Sequence, residues 1–292
     1  MKPAVLHYIR PESVAEALHA IATHENAKFL AGGQSLVTLM NLRLSRPDVV
    51  IDIGHLRELE RLFDDDGQMI IGALVRHRTL ETDPLISARL PLLSEAARHI
   101  GHIGIRNRGT IGGSLAHADP AAELPLAVTV LDATVHVESA ARGARTVPGA
   151  ELFESFYTNS LEPDEMITWI SMPTLGEGQN WGFVEYTRQH GDYALSGAGA
   201  VVTLDGDGRV ACARVAVMNA GDKPRLFNGD DIVGAEPSDA MWWRCATDWA
   251  ASLEPPADDP EYIRHLAAHA MAEALSAASD RTTKEEKDRR AR

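Results

Sequence analysis

The sequence contains little cysteine and no long apolar run, and each lack narrows the classes of protein to which it can belong. Two cysteines, Cys212 and Cys245, stand among 292 residues without a CxxC spacing. The chain by itself therefore cannot form a disulfide framework, a zinc site or an iron–sulfur site. One disulfide and two free thiols both remain open. No run of about 18 apolar residues is present, so we expect no membrane-spanning helix.

Positive charge is also scarce. The chain has 28 Lys and Arg against 42 Asp and Glu, which gives a formal net charge of −14. Such a surface repels phosphate backbones, so we expect no nucleic-acid partner, although a local site for a small diphosphate is not excluded. The first residues lack the apolar core of a signal peptide, and we expect a cytoplasmic protein. The length fits two or three domains.

The first 50 or so residues predict a β–loop–α–β unit with a glycine turn in its loop. Residues 12–24 have apolar positions at helical spacing, and 28–30 predict a short strand. The segment Ala31-Gly32-Gly33-Gln34-Ser35 follows, then a helix over 36–42 and a buried strand over 49–53. Two glycines between a strand and a helix let backbone amides approach an anion. A plain tight turn is the alternative interpretation.

A second glycine-rich segment runs from Arg106 to Pro120 and reads Arg-Asn-Arg-Gly-Thr-Ile-Gly-Gly-Ser-Leu-Ala-His-Ala-Asp-Pro. We interpret it as a long functional loop, because loops of this length without structure of their own are uncommon. Its Gly112-Gly113-Ser114 repeats the chemistry of Gly33-Gln34-Ser35. The second loop could face the first across a diphosphate, and two such loops in one chain predict a diphosphate cofactor more strongly than either does alone.

The remaining sequence predicts further strands and helices. Thr79 is a candidate helix cap, 92–99 and 124–131 predict helices, and 69–73 and 134–137 predict strands. Strand-like runs at 198–204 and 210–218 flank Asp205-Gly206-Asp207-Gly208, a hairpin signal. Helices are expected over about 238–252 and 260–277. The tryptophans at 242, 243 and 249 are expected in the core or at a subunit contact.

Four segments in order resemble the FAD-binding subunit of the molybdenum hydroxylases, the family of carbon monoxide dehydrogenase and xanthine dehydrogenase. They are the two glycine segments, Ala116-His117-Ala118-Asp119-Pro120-Ala121-Ala122-Glu123-Leu124-Pro125, and Arg188-Gln189-His190-Gly191-Asp192-Tyr193-Ala194-Leu195. The resemblance covers about residues 1–280. Four ordered motifs are far more specific than one glycine turn.

The resemblance implies an α+β fold, with a two-part FAD-binding domain of the vanillyl-alcohol-oxidase (PCMH) type and a smaller α+β C-terminal domain. The first domain would span 1–176, with parts of about 1–54 and 55–176, and the second 177–280. Residues 281–292 would be a charged, unordered tail. FAD would be held noncovalently. The molybdenum cofactor and 2Fe-2S clusters would lie only on a large and a small partner subunit of a heterotrimer, or of a pair of heterotrimers. The chain would pass electrons to an external acceptor.

The resemblance also implies which residues bind the cofactor. The diphosphate would lie between the two turns, Asp119 would reach ribityl or ribose hydroxyls, Tyr193 would lie beside the isoalloxazine ring, and Ile167 would border the adenine. Glu123 stands where aspartate is frequent. The full expected set is Ala31, Gly32, Gly33, Gln34, Ser35, Leu36, Thr110, Ile111, Gly112, Gly113, Ser114, Asp119, Glu123, Ile167 and Tyr193. No catalytic residue and no metal ligand are expected in this chain.

Several alternatives stay open. A lysine frequent in the family is absent near Tyr186 and Thr187. His117 and Asp119, two apart, would share a face on a strand as an acid–base pair, although a loop-stabilising bond is the simpler role for Asp119. Tyr193 could instead be a buried tyrosine with its hydroxyl satisfied. At the level of function, the alternatives are a stand-alone FAD oxidase or reductase and a non-catalytic assembly protein with a decayed flavin fold.

Overall fold

A computed structural model describes residues 2–176, 178–256 and 258–290, and for 282–290 it describes the backbone alone. The described strands are β1 (His7–Ile9), β2 (Ala27–Leu30), β3 (Val49–Asp52), β4 (Leu62–Asp65), β5 (Gln68–Gly72), β6 (Thr134–Ser139), β7 (Gly143–Pro148), β8 (Phe153–Ser155), β9 (Thr158–Asn159), β10 (Met166–Pro173), β11 (Gln179–Tyr186), β12 (Ser196–Leu204), β13 (Val210–Met218) and β14 (Arg225–Asn228).

The described helices are α1 (Val14–Thr23), α2 (Leu36–Asn41), α3 (His77–Thr82), α4 (Pro84–Arg89), α5 (Pro91–His99), α6 (Ile103–Arg106), α7 (Ile111–His117), α8 (Glu123–Val130), α9 (Asp239–Ala250) and α10 (Pro260–Arg290). None of these helices combines the length and the apolar character needed to cross a bilayer.

The N-terminal part is a small parallel sheet in the order β1-β3-β2. Helix α1 packs beside it because Ala17, Leu18 and Ile21, at helical spacing, are buried on one face. Ser13 caps this helix by accepting a hydrogen bond from the amide of Glu16. Strand β1 pairs with β3 at the edge of the predicted β–loop–α–β unit. The sequence did not predict this strand, because the run His7–Ile9 is only three residues long.

The middle part is an antiparallel sheet in the order β4-β5-β10-β6-β7. Alternate residues of β6 are buried, and Val135 and Val137 face the same core as α5, α7 and α8. Strand β4 forms a hairpin with β5 around a turn at Asp66 and Gly67. Helix α3 starts at His77, so Thr79 lies inside the helix and does not cap it.

The C-terminal part is an antiparallel sheet in the order β11-β12-β13-β14. One face is covered by α9 and α10, and Met218 and Ala216 on the other side join the core of the middle part. The hairpin predicted at 205–208 is present between β12 and β13. Trp242 is fully buried, whereas Trp243 is exposed.

Two further sequence predictions differ from the structure. The second glycine segment is not a structureless loop, because α6 and α7 occupy most of it. Helix α10 continues to Arg290, so the backbone of the tail predicted as unordered is helical that far. Residues 291 and 292 of that tail lie outside the described residues.

Candidate cofactor site

The first glycine turn offers a row of free backbone donors. It connects β2 to α2, and Gly33 has a φ of +73°, which favours glycine. Among the described residues, the amides from Gly32 to Leu36 donate to no protein group. Within the turn, the Gln34 side-chain amide donates to the carbonyl of Gly32 at 3.2 Å. Consecutive unsatisfied amides of this kind bind an anion such as a diphosphate.

The second turn lies directly against the first. An ideal Cβ placed on Gly32 would lie 2.1 Å from the carbonyl oxygen of Arg108, and one placed on Gly113 would lie 4.0 Å from Cβ of Ala31. Only a residue without a side chain at position 32 permits this approach. The two turns, far apart in the sequence, are therefore in direct contact.

The amides of the second turn are already used within the protein. Those of Ile111 and Gly112 donate to carbonyls just after β5, at 3.1 and 2.9 Å. The amide of Gly113 donates to the hydroxyl of Thr110, the N-cap of α7, at 3.2 Å. The expectation that both turns present free amides is thus wrong for these three. The second turn contributes closely packed backbone and the half-buried Ser114.

Two residues that sequence reasoning missed hold the second turn in place. The guanidinium of Arg76 donates to the carbonyls of Arg108 and of Gly54. The ring of His77 is buried, and its Nε2 lies 3.0 Å from the carbonyl of Thr110. Burial lowers the pKa of His77 to about 4. Their only sequence signal is a position just after a buried strand, which is too common to indicate a role.

Acidic and aromatic residues gather at the far end of α7. Its seven residues span about 10 Å, and Ala118 ends it in the left-handed conformation with a φ of 52°. Because His117 ends a helix, it does not share a strand face with Asp119. Asp119 is buried, and its Oδ1 accepts from the amide of Ala121 at 3.0 Å, which is the loop-stabilising bond expected. Glu123, the first residue of α8, is buried nearby.

Tyr193 lies exposed beside this acidic group, with 76% of its surface accessible. The alternative of a buried tyrosine is therefore wrong. Asn219 fixes the loop that carries Tyr193. Its backbone amide donates to the carbonyl of Pro120 at 2.9 Å, and its side-chain amide donates to the carbonyl of Ala194 at 2.6 Å. An exposed ring held on a fixed loop is suited to stack against a planar ligand. The sequence showed Tyr193 but not the role of Asn219.

The acidic group changes the proton affinity of its members. Burial, reinforced by the charge of Glu185, raises the pKa of Glu123 to about 8. Partial burial of the Tyr193 hydroxyl, with the charges of Asp119 and Glu123, raises the pKa of that tyrosine. A carboxyl group that stays protonated near neutral pH can donate a hydrogen bond or a proton into the cleft.

Ile167 and the position near the absent lysine both lie in strands. Ile167 is buried in β10, next to Thr168, whose carbonyl accepts from the amide of Ala73 at 3.0 Å. Ala73 also packs against Gly112 of α7. Ile167 therefore stands next to the β10 residue that is hydrogen-bonded to this contact. Near the missing lysine, the Tyr186 hydroxyl donates to Glu273 of α10 at 2.8 Å, while the Glu185 side chain is 1% exposed on the opposite side.

Comparison with known proteins agrees with this geometry. Residues 4–175 match the family model of the FAD binding domain in molybdopterin dehydrogenase. The chain is 47% identical over 222 residues to the alpha subunit of the 6-hydroxypseudooxynicotine dehydrogenase complex of Paenarthrobacter nicotinovorans, covering 76% of this chain and 75% of that protein. It is 33% identical over 286 residues to the carbon monoxide dehydrogenase medium chain of Hydrogenophaga pseudoflava, covering 95% and 98%.

The fold agrees as well. The crystal structure of quinoline 2-oxidoreductase from Pseudomonas putida 86 contains a chain that matches with a TM-score of 0.92 and 32% identity, covering 97% of this chain and 99% of that one. The chain therefore belongs to the FAD-binding subunits of the molybdenum hydroxylases. It is a flavoprotein subunit of an oxidoreductase with an α+β fold, as the resemblance implied.

Proposed function

We propose that this chain holds FAD noncovalently across the two turns and passes electrons from 2Fe-2S clusters of a partner subunit to an external acceptor. The observation that supports this most is the row of unsatisfied amides from Gly32 to Leu36, which lies directly against the backbone of Arg108 and Gly109. When bound, FAD accepts electrons singly and releases them in pairs.

The cleft residues would divide the cofactor between them. The first turn would bind the diphosphate through its amides, with Thr110 to Ser114 packed on the other side. At the far end of α7, Asp119 and Glu123 would face the polar part of the cofactor. Tyr193 would cover the ring, and Ile167 would border the adenine. This division is the one that the family resemblance implies, and the free amides of the first turn and the exposed ring of Tyr193 support it.

The partners would be a large molybdenum-cofactor subunit and a small iron–sulfur subunit. In support, the relatives are named as a subunit of a complex and as a medium chain. Within this chain, 1–176 would be the FAD-binding domain and 177–280 a C-terminal domain. Both cysteines are free thiols, which agrees with a reducing compartment such as the cytoplasm.

The test is an absorption spectrum and metal analysis of the natively purified protein. We expect flavin absorbance, flavin released by acid, and co-purifying molybdenum and iron on two further chains. A colourless chain that takes up no FAD on reconstitution would refute the proposal. Turnover of an organic substrate by the purified single chain would favour a stand-alone flavin enzyme instead, and partners without flavin would favour an assembly protein.

A further inference from the structure

A pair of histidines lies on α10, one of the two helices that cover the C-terminal sheet. His265 and His269 are four residues apart, so helical geometry places them on the same face, one turn from each other. Their Nε2 atoms lie 3.1 Å apart. His265 is exposed and His269 is half-buried. The two ring nitrogens therefore lie side by side at a surface that solvent reaches.

Trp243 of α9 packs against both rings. Its ring centroid lies 4.4 Å from that of His269 and 5.7 Å from that of His265, and the centroids of the two imidazoles are 4.6 Å apart. The indole is 36% exposed, so this contact lies at the surface of the protein. Rings that a second helix already holds in place lose less freedom when a ligand binds to them, and this favours binding.

The separation of the two nitrogens suits a transition-metal ion. With metal–nitrogen bonds of about 2.0–2.1 Å, two imidazole ligands at right angles lie about 2.9–3.0 Å apart. The observed separation is 3.1 Å, so a small rotation of either ring brings both nitrogens to bonding distance. Among the residues that the structure describes, no three ligand-type side chains gather around one point. Water would therefore fill the other coordination positions.

The charged groups beside the pair leave room for a cation. Glu261 and Glu273 stand four residues before and after the pair on the same helix, and both are exposed. The carboxylate of Glu273 accepts a hydrogen bond from the hydroxyl of Tyr186 at 2.8 Å. Arg264, the neighbouring cationic residue in the chain, donates from Nε to the carbonyl of Leu253 at 2.8 Å. Negative charge thus flanks the histidines along α10.

We propose that His265 and His269 chelate a late first-row divalent ion such as Ni²⁺ or Cu²⁺ through both Nε2 atoms. It departs from the expectation, drawn from the sequence, that this chain holds no metal ligand. Neutral imidazole suits these ions, whereas Mg²⁺ and Ca²⁺ prefer oxygen ligands. In the complex both rings are neutral and carry their protons on Nδ1, so the hydrogen bond between the Nε2 atoms is replaced by two metal–nitrogen bonds. The ion links two turns of α10 and stabilises the folded chain.

The test titrates the full chain, free of any affinity tag, with Ni²⁺ by calorimetry at mildly alkaline pH, where imidazole is mainly neutral. In His265→Ala and in His269→Ala we expect the affinity to fall roughly a hundredfold, because the second ligand no longer binds within the same molecule. His19→Ala is the matched control. It removes an exposed histidine of α1 that has no histidine four residues away, and it should bind Ni²⁺ as the wild type does.

A second measurement locates the ion. Ni²⁺ quenches the fluorescence of a nearby indole, so the quenching that accompanies binding should be lost in Trp243→Phe and kept in Trp249→Phe.

Two results would overturn the site. Equal Ni²⁺ affinity in the wild type and in His265→Ala would mean that the two rings form only a hydrogen-bonded pair. Displacement of Ni²⁺ by an equal concentration of Mg²⁺ would mean that the acidic surface attracts any divalent cation. If His269→Ala does not fold, the exposed His265→Ala decides alone.

Discussion

The first turn, Ala31 to Leu36, and the second, Arg108 to Ser114, contain nearly the same residue types but hold them differently. The amides of the first turn donate to no described protein group, while those of Ile111, Gly112 and Gly113 are bonded to carbonyls just after β5 and to the hydroxyl of Thr110. The first turn is therefore ready to bind a ligand, and the second is the rigid wall against which it packs. Similar composition does not mean similar chemistry, because backbone donors serve a ligand only where the fold leaves them unpaired.

The contact between the turns gives the largest expected effect. In Gly32→Ala the new Cβ would lie 2.1 Å from the carbonyl of Arg108, so backbone must move and the cleft must open. We expect FAD affinity to fall by about a hundredfold, or roughly 3 kcal/mol. Flavin fluorescence titration measures this. Gly104→Ala, whose Cβ meets nothing within 4 Å, is the control, and equal FAD affinity in the two variants would separate the turns functionally.

Acid should destabilise the packing around the second turn, where His77 is buried, and should not affect the first turn in this way. Burial holds the pKa of His77 at about 4 against an ordinary 6.5. Between these values the unfolded chain binds a proton that the native chain does not, so stability is present above pH 6.5 and falls as the pH approaches 4. We expect a loss of about 3 kcal/mol in denaturant unfolding of the FAD-free chain. His77→Gln should show that much less acid dependence, and an identical pH dependence would contradict the assignment.

The smallest expected effect comes from a comparison of the hydroxyl groups of Thr110 in the second turn and Ser35 in the first. Thr110 caps α7, whereas Ser35 makes no cap bond with α2. Thr110→Ala should lower the free energy of unfolding of the FAD-free chain by about 1 kcal/mol, and Ser35→Ala should change it by less than about 0.5 kcal/mol. Thermal unfolding with and without FAD measures both. A larger loss in Ser35→Ala would mean that the first turn also supports the fold.

Local patterns predicted the elements that have strong periodicity. The helical spacing of α1 and α5, the β-branched run of β3 and the hairpin at 205–208 all appear in the structure near their predicted limits. The error at 106–120 has a physical cause. Gly112 and Gly113 disfavour a helix by propensity, but packing of Gly112 against Ala73 and the cap from Thr110 outweigh this.

The sequence by itself determined the residue types of the site, because glycine pairs, Asp119 and Tyr193 stand in an order that few proteins share. The tertiary structure alone decided which amides remain free, that Arg76 and His77 hold the second turn, and that His99 meets Glu185. These are contacts between residues distant in the chain. No local pattern encodes them, since they depend on how the sheets and helices pack together.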